Sequence, residues 1–231
     1  MNRAIVVAAG AGLRFKNRVG KQFIDLLGRP LLSYCIENLD LCGSVDSITL
    51  VTNEEAIDTC RRDVVEKFGF NKVENIIAGG ESRQDSVYLG LSSLDKSTEK
   101  VIIHDGARPN VSIEKVEEVI EAATAENGAI LAVPVTDTIK LAGKMDVIAN
   151  TLERDGLWSA QTPQVFEYHV LMEAHALAIS EDYHGTDDSS LVERVGHPVK
   201  LVFGDYENLK VTTPGDLDII SAIMKDKDRA V

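Results

Sequence analysis

Short apolar, β-branched runs alternate along this chain with segments in which apolar residues return at helical spacing. Residues 4–8, 47–52, 73–77, 101–104 and 129–133 read as buried strands. Residues 31–41, 54–68, 84–94, 113–125 and 168–179 carry the helical period. Alternation of this kind predicts an α/β fold with a mostly parallel central sheet and helices on both faces. Such sheets bind ligands beyond the carboxyl ends of their strands. That rule singles out residues 9–21, 78–86 and 105–109. Residues 136–161 break the rhythm with two short polar-apolar stretches that run into ERDGLWSAQTP. They are too polar for a core strand pair and predict a projecting β-arm. Such an arm either lies on its own surface or seeks a partner surface in a homodimer.

Size and composition narrow the picture. A chain of 231 residues fits one domain, taken here as 1–231 with the arm at about 136–161, and its core needs no disulfide or metal staple. No apolar run approaches the roughly 18 residues of a membrane span. The opening MNRAIVVAAG turns straight into a Gly-rich loop with no cleavage-site context, so it reads as a first strand and not as a signal peptide. Cys35, Cys42 and Cys60 are odd in number and show no CxxC spacing, which suits unpaired thiols in a reducing cytoplasm. A net charge of −13 argues against nucleic-acid and anionic-membrane partners. Its distribution says more: residues 1–24 hold Arg3, Arg14, Lys16, Arg18 and Lys21, and all 37 acidic residues lie beyond them. A basic island on an acidic protein suits a small polyanion, although a solvated loop can gather charge in the same way.

Three loops carry candidate chemistry. AAGAGLRFKNRVGKQ follows the first strand, and Gly10 and Gly12 let backbone N–H groups approach a phosphate. A dinucleotide fingerprint and a Walker A loop would both need glycine where Phe15 stands, and the latter also Ser or Thr at Gln22. What remains is a phosphate loop with two positive charges, Arg14 and Lys21. In the second loop, GGESRQDS, two glycines permit close packing on a flat ring and Ser86 can bond a base edge or ribose. The same residues also suit a plain strand-to-helix turn capped by Ser82. The third, IIHDGARP, puts Asp105 at a strand end, where a carboxylate can hold Mg2+, cap a turn or pair with a cation such as Arg108. Further on, residues 185–193 read as a capped short helix and Thr213 as the cap of the last one, before Pro214. The five histidines have no metal-ligand spacing, and no GxSxG motif supports a serine hydrolase.

Taken together, AAGAGLRF, GKQF, GGESRQDSV, HDGARP, PVTDTIK, RDGLWSAQTPQVF, TDDSSLVE and NLKVTTPGDL resemble the 2-C-methyl-D-erythritol 4-phosphate cytidylyltransferases of the nonmevalonate isoprenoid pathway. The resemblance spans nearly the whole chain in order. It implies a Rossmann-like nucleotidyltransferase fold and a homodimer whose arm reaches into the neighbouring active site. It places the nucleotide, CTP, on Ala8, Ala9 and Gly10, with Gly80, Glu81 and Ser86 reading cytosine and ribose. Arg14 and Lys21 would grip the phosphates, and Asp105 would help to place Mg2+. Arg108, Thr138, Arg154, Thr162, Thr186 and Lys210 would surround a sugar-alcohol phosphate, with Thr138 and Arg154 coming from the partner's arm. Family members often carry Asp where Glu207 stands, so that position is not carried over. Ribitol 5-phosphate cytidylyltransferases are similar, but they typically carry AGG where this chain has Ala8-Ala9-Gly10. A nicotinamide-dependent oxidoreductase and a non-catalytic nucleotide-binding protein are the readings from other classes. Phe15 opposes the first, and the joint presence of Arg14, Lys21, Asp105 and Arg108 opposes the second.

Overall fold

The computed structural model describes residues 1–10 and 20–229, with side chains at 1–10, 20 and 22–226. Seven strands form the central sheet: β1 (Asn2–Val7), β4 (Ser47–Thr52), β5 (Val73–Ala78), β6 (Lys100–Asp105), β7 (Gly128–Pro134), β10 (Trp158–Glu167) and β11 (Val199–Phe203). Their spatial order is β11-β7-β10-β6-β1-β4-β5. Every neighbouring pair is parallel except those made by β10, which runs against both β6 and β7. Two minor strands, β2 (Asp25–Leu26) and β3 (Arg29–Pro30), form a turn that leads into α1 (Leu31–Leu41).

The period-two alternation of β1 explains the layering. Ala4, Val6 and Ala8 pack on one face with Leu32, Ile36 and Leu39 of α1 and with Val116 and Val119 of α4 (Ile113–Ala122). Ile5, between them, packs on the other face with Val87 and Leu91 of α3 (Arg83–Ser92), Leu171 and Ala174 of α5 (Tyr168–Ser180), and Val192 of α6 (Asp188–Arg194). A smaller cluster joins Leu26, Leu31 and Cys35 to Val211 and to Ile220 of α7 (Pro214–Arg229). No described helix is long and apolar enough to cross a membrane.

Three expected elements take a different form, and two strands appear beyond those expected. The helix expected at 54–68 divides into a 3-10 turn (Glu54–Ala56), the short α2 (Ile57–Cys60) and a π-helical stretch (Arg61–Glu66). The one expected at 113–125 stops at Ala122, where Thr124 and Asn127 close a turn. Strands β10 and β11 were not among the expected strands. Residues 158–161, assigned to the arm, belong instead to β10, where Trp158 lies opposite Pro134. The arm is the hairpin of β8 (Lys140–Ala142) and β9 (Ile148–Thr151), every residue of which is exposed.

Candidate active site

The carboxyl ends of β1, β4, β5 and β6 lie side by side, and the cleft beyond them measures about 610 Å3. One wall is the end of β1: Ala8 continues the ladder by donating its N–H to the Val51 carbonyl (2.7 Å), and Ala9 and Gly10 line the cleft after it. Among the described residues, nothing lies within 4 Å of where a Cβ on Gly10 would project.

The second wall is the turn into α3. Ser82 caps that helix, its Oγ accepting from the Asp85 N–H (3.0 Å) while the Asp85 carboxylate accepts from the Ser82 N–H (3.0 Å). Ser86 Oγ accepts from the Gly80 N–H (3.1 Å) and donates to the Ser82 carbonyl (2.9 Å). Ser86, expected to read the base or ribose, therefore has its proton engaged in holding the loop. The glycines serve packing within the chain: a Cβ on Gly79 would lie 2.5 Å from the Ala9 Cβ, and one on Gly80 would lie 2.4 Å from the Asp85 Cβ. The turn after β1 and the turn into α3 therefore lie against each other. Glu81 lines the same wall and is exposed.

Asp105, at the end of β6, is buried and is the focus of positive charge. Arg83 Nε donates to its Oδ1 (3.1 Å), Lys210 Nζ to its Oδ2 (2.7 Å), and Arg108 Nε lies 3.6 Å from Oδ2. Burial alone would raise its pKa, but Arg83, Lys210 and Arg108 outweigh it and hold the carboxyl below the ordinary range. With Asp188, which also pairs with Arg83, three cations face two buried carboxylates and leave a surplus of one positive charge around Asp105. Arg108 Nη1 also donates to the Asn208 carbonyl (2.7 Å), and burial lowers its pKa.

A hydrogen-bonded chain fixes the Asp105 backbone. Thr162 Oγ1 accepts from the Asp105 N–H (3.0 Å) and lies 3.1 Å from His104 Nδ1, while His104 Nε2 lies 3.2 Å from the Arg108 carbonyl. A carbonyl only accepts, so a neutral His104 carries its proton on Nε2 and Nδ1 accepts the Thr162 hydroxyl proton. Burial pushes the His104 pKa down to about 4, in keeping with a neutral ring. Thr162, expected beside the substrate, is buried and serves as a support for Asp105.

Among the other expected residues, Lys210 reaches the cleft and Arg108 reaches Asp105. Thr186 is exposed just before α6. Thr138 and Arg154 lie on the exposed arm, away from the cleft lining of their own chain, where Arg154 Nη1 donates to the Thr136 carbonyl (2.6 Å). Arg14 lies outside the described residues. Lys21 opens the 3-10 turn Lys21–Phe23, and its side chain also lies outside them. Sequence reasoning missed Arg83 and Asn208. Arg83 occupies the first turn of α3, where a positive charge opposes the helix dipole. An arginine in that place signals a nearby acid, and the acids are Asp105 and Asp188.

Comparisons with known proteins point to one family. The family model for 2-C-methyl-D-erythritol 4-phosphate cytidylyltransferase matches residues 3–226. A relative of that name from Geotalea uraniireducens is 45% identical over 224 residues, covering 96% of each chain. Another of that name, from Caldanaerobacter subterraneus, is 46% identical over 222 residues, covering 96% of this chain and 98% of the relative. The crystal structure of 4-diphosphocytidyl-2C-methyl-D-erythritol synthase from Anaerococcus prevotii superposes with a TM-score of 0.85 at 30% identity, covering 97% of this chain and 96% of that one. On sequence and fold alike, the chain belongs to the 2-C-methyl-D-erythritol 4-phosphate cytidylyltransferase family.

Proposed function

We propose that this chain transfers CMP from CTP to 2-C-methyl-D-erythritol 4-phosphate, releasing pyrophosphate and forming 4-diphosphocytidyl-2-C-methyl-D-erythritol. The observation that carries the reading is the convergence of Arg83, Arg108 and Lys210 on Asp105, across one cleft from the glycine turn at 79–80. In this reading the backbone at 8–10 and 79–81 holds the nucleoside. The surplus positive charge around Asp105 draws in the acceptor phosphate. An acceptor phosphate oxygen attacks the α-phosphorus of CTP as the bond to the pyrophosphate oxygen breaks. A phosphate monoester is already anionic near neutral pH, so no side chain has to remove a proton. Catalysis then rests on positioning and on cations that match the charge building at the α-phosphate. Arg14 and Lys21 are proposed for that last task.

Mg2+ fits the donor set in one way. Asp105 and Glu81 are the acidic side chains among the lining residues, and no three His, Cys, Asp or Glu among the described residues converge as a ligand set. Mg2+ accepts one or two carboxylates together with substrate phosphates. We therefore place it on the nucleotide phosphates with Asp105 as its protein carboxylate, a role Asp105 fills only by sharing its oxygens with Arg83 and Lys210. Bound there, the ion would supply charge neutralisation for the departing pyrophosphate.

We further propose that the chain works as one catalytic unit in a homodimer, with the arm at about 136–157 lending Thr138 and Arg154 to the neighbour's site. Exposed Leu141, Met145, Val147 and Ile148 on the hairpin support this, as do exposed Trp158, Phe203 and Tyr206 at the sheet edge. Three buried free cysteines suit a cytoplasmic setting.

The test is pyrophosphate release, crossing the four ribonucleoside triphosphates with methylerythritol and ribitol phosphates. The expected result is turnover with CTP and methylerythritol phosphate. Preference for ribitol phosphate would assign the chain to the sister activity. No release with any pair would leave a nucleotide-binding protein.

A further inference from the structure

Behind Asp105 runs a buried polar line that the transfer chemistry does not itself need. Arg83 reaches Asp105 Oδ1 with Nε and Asp188 Oδ2 with Nη1 (2.7 Å). Asp188, the first residue of α6, is 1% exposed, and its Oδ1 lies 3.3 Å from Nε2 of the fully buried His175. Next to Arg83, Gln84 accepts from the Gly185 N–H (2.9 Å) and donates to the Tyr183 carbonyl (3.1 Å). From the other side, Gln164 of β10 donates to Asp187 Oδ2 (2.7 Å) and accepts from the Ser189 N–H (3.1 Å). The segment that carries Thr186 is thus clamped to the start of α3, and the start of α3 is also the end of the nucleotide turn.

A buried ion pair of this kind is weak evidence of a purely stabilising role, because apolar side chains of similar size commonly do that work as well. Its distinctive consequence is the division of the Asp105 carboxylate. Arg83 occupies Oδ1, which leaves only Oδ2 to face Lys210 and Arg108. Without Arg83, both oxygens are free to turn toward Lys210 and Arg108, which would neutralise the charge those two offer an incoming anion. Asp188 in turn holds Arg83 in place, since Arg83 is the cation that Asp188 shares with Asp105.

We infer that Arg83, anchored by Asp188, is a positioning residue that keeps Lys210 and Arg108 available to the acceptor phosphate. This rests on the reading that the acceptor phosphate binds at Lys210 and Arg108. The experiment measures KM for each substrate separately in Arg83→Met, Arg83→Lys, Asp188→Asn and the Arg83→Met/Asp188→Asn double variant. The acceptor KM rises at least about tenfold in Arg83→Met while the CTP KM stays within about twofold, since Asp105 then pairs more fully with Lys210 and Arg108 while the bonds that hold the Gly80 turn stay in place. Arg83→Lys recovers part of the loss. Asp188→Asn shifts the acceptor KM in the same direction, and the double variant is no worse than Arg83→Met, because the two residues act through one contact. Equal effects on both KM values, lowered stability with neither KM changed, or additive effects in the double variant would each overturn the inference. Asp188→Asn is close in shape to the native side chain, so the question stays open to measurement even if Arg83→Met does not fold. Failure of the native protein to release pyrophosphate would instead overturn the function itself, which is a separate result.

Discussion

At the scale of single residues, the site is built from polar side chains that burial would penalise unless each had a partner. Asp105 is the clearest case. Asp105→Asn would leave Arg108 and Lys210 without their shared counter-charge and Arg83 with Asp188 alone, and removing one member of a buried ion pair costs about 3 kcal/mol or more. Urea unfolding of that variant should show a loss of this order together with loss of turnover. His104 makes a pH prediction. Its folded pKa, about 4, lies below the unfolded value of about 6.5, so between those limits the unfolded chain binds the extra proton. Stability from this residue is therefore complete above about pH 6.5 and declines as pH falls toward 4, by roughly 2 kcal/mol between pH 7 and pH 5. A His104→Asn variant should show a correspondingly shallower decline in urea unfolding over that range. An equal slope in both proteins would remove His104 as its source. Much of this scale was hidden in the sequence. Asp105, Arg108 and Lys210 stood out by motif, but the use of the Thr162 proton for His104 depends on a contact across 58 positions. The pairing of Arg83 with Asp188 spans 105.

Among the elements, the inner parallel strands were legible because burial on both faces demands continuous apolar runs, as in Ser47–Thr52, all of whose residues are buried, whereas the half-exposed parallel edge strand β11 was not. Strand β10 was not. WSAQTPQVFE carries Gln161, Thr162, Pro163 and Gln164 through the middle of the sheet, and its polar atoms are satisfied only by distant partners. Gln161 Nε2 donates to the Asp205 carbonyl (2.8 Å), and Gln164 bonds to Asp187 and Ser189. Such a strand has no local apolar signature, and it is the one that brings Thr162 to Asp105. Helix α3 was legible in both its period and its cap. Ser82→Ala removes the capping box and should cost about 1 kcal/mol by thermal unfolding. Ser82→Ala keeps the backbone carbonyl that accepts from Ser86, so the Gly80 turn stays tied and the CTP KM should change little.

For the whole molecule, the exposed arm makes the quaternary prediction. Sites shared between subunits can be separated by mixing two inactive variants. Arg154→Ala disables the arm, and Lys210→Met disables the cleft that receives it. Random exchange should restore about a quarter of native turnover, because half of the dimers are hybrids and each hybrid keeps one intact site. No recovery after verified subunit exchange would place Arg154 outside the neighbour's site. The sequence announced an arm through its polarity, but not its partner, because a self-association surface shows as a patch only once the chain is folded.

The account depends most on the cleft beyond β1 and β6 being where CTP binds. Calorimetric titration of CTP with Mg2+ into the native protein and into Gly80→Val tests this directly. A side chain at residue 80 would crowd Asp85 and displace the turn proposed to hold the nucleoside. The predicted result is binding to the native protein and at least about tenfold weaker binding to a Gly80→Val variant that melts near the native temperature, a difference of about 1.4 kcal/mol. Equal affinity in the two proteins would contradict the account.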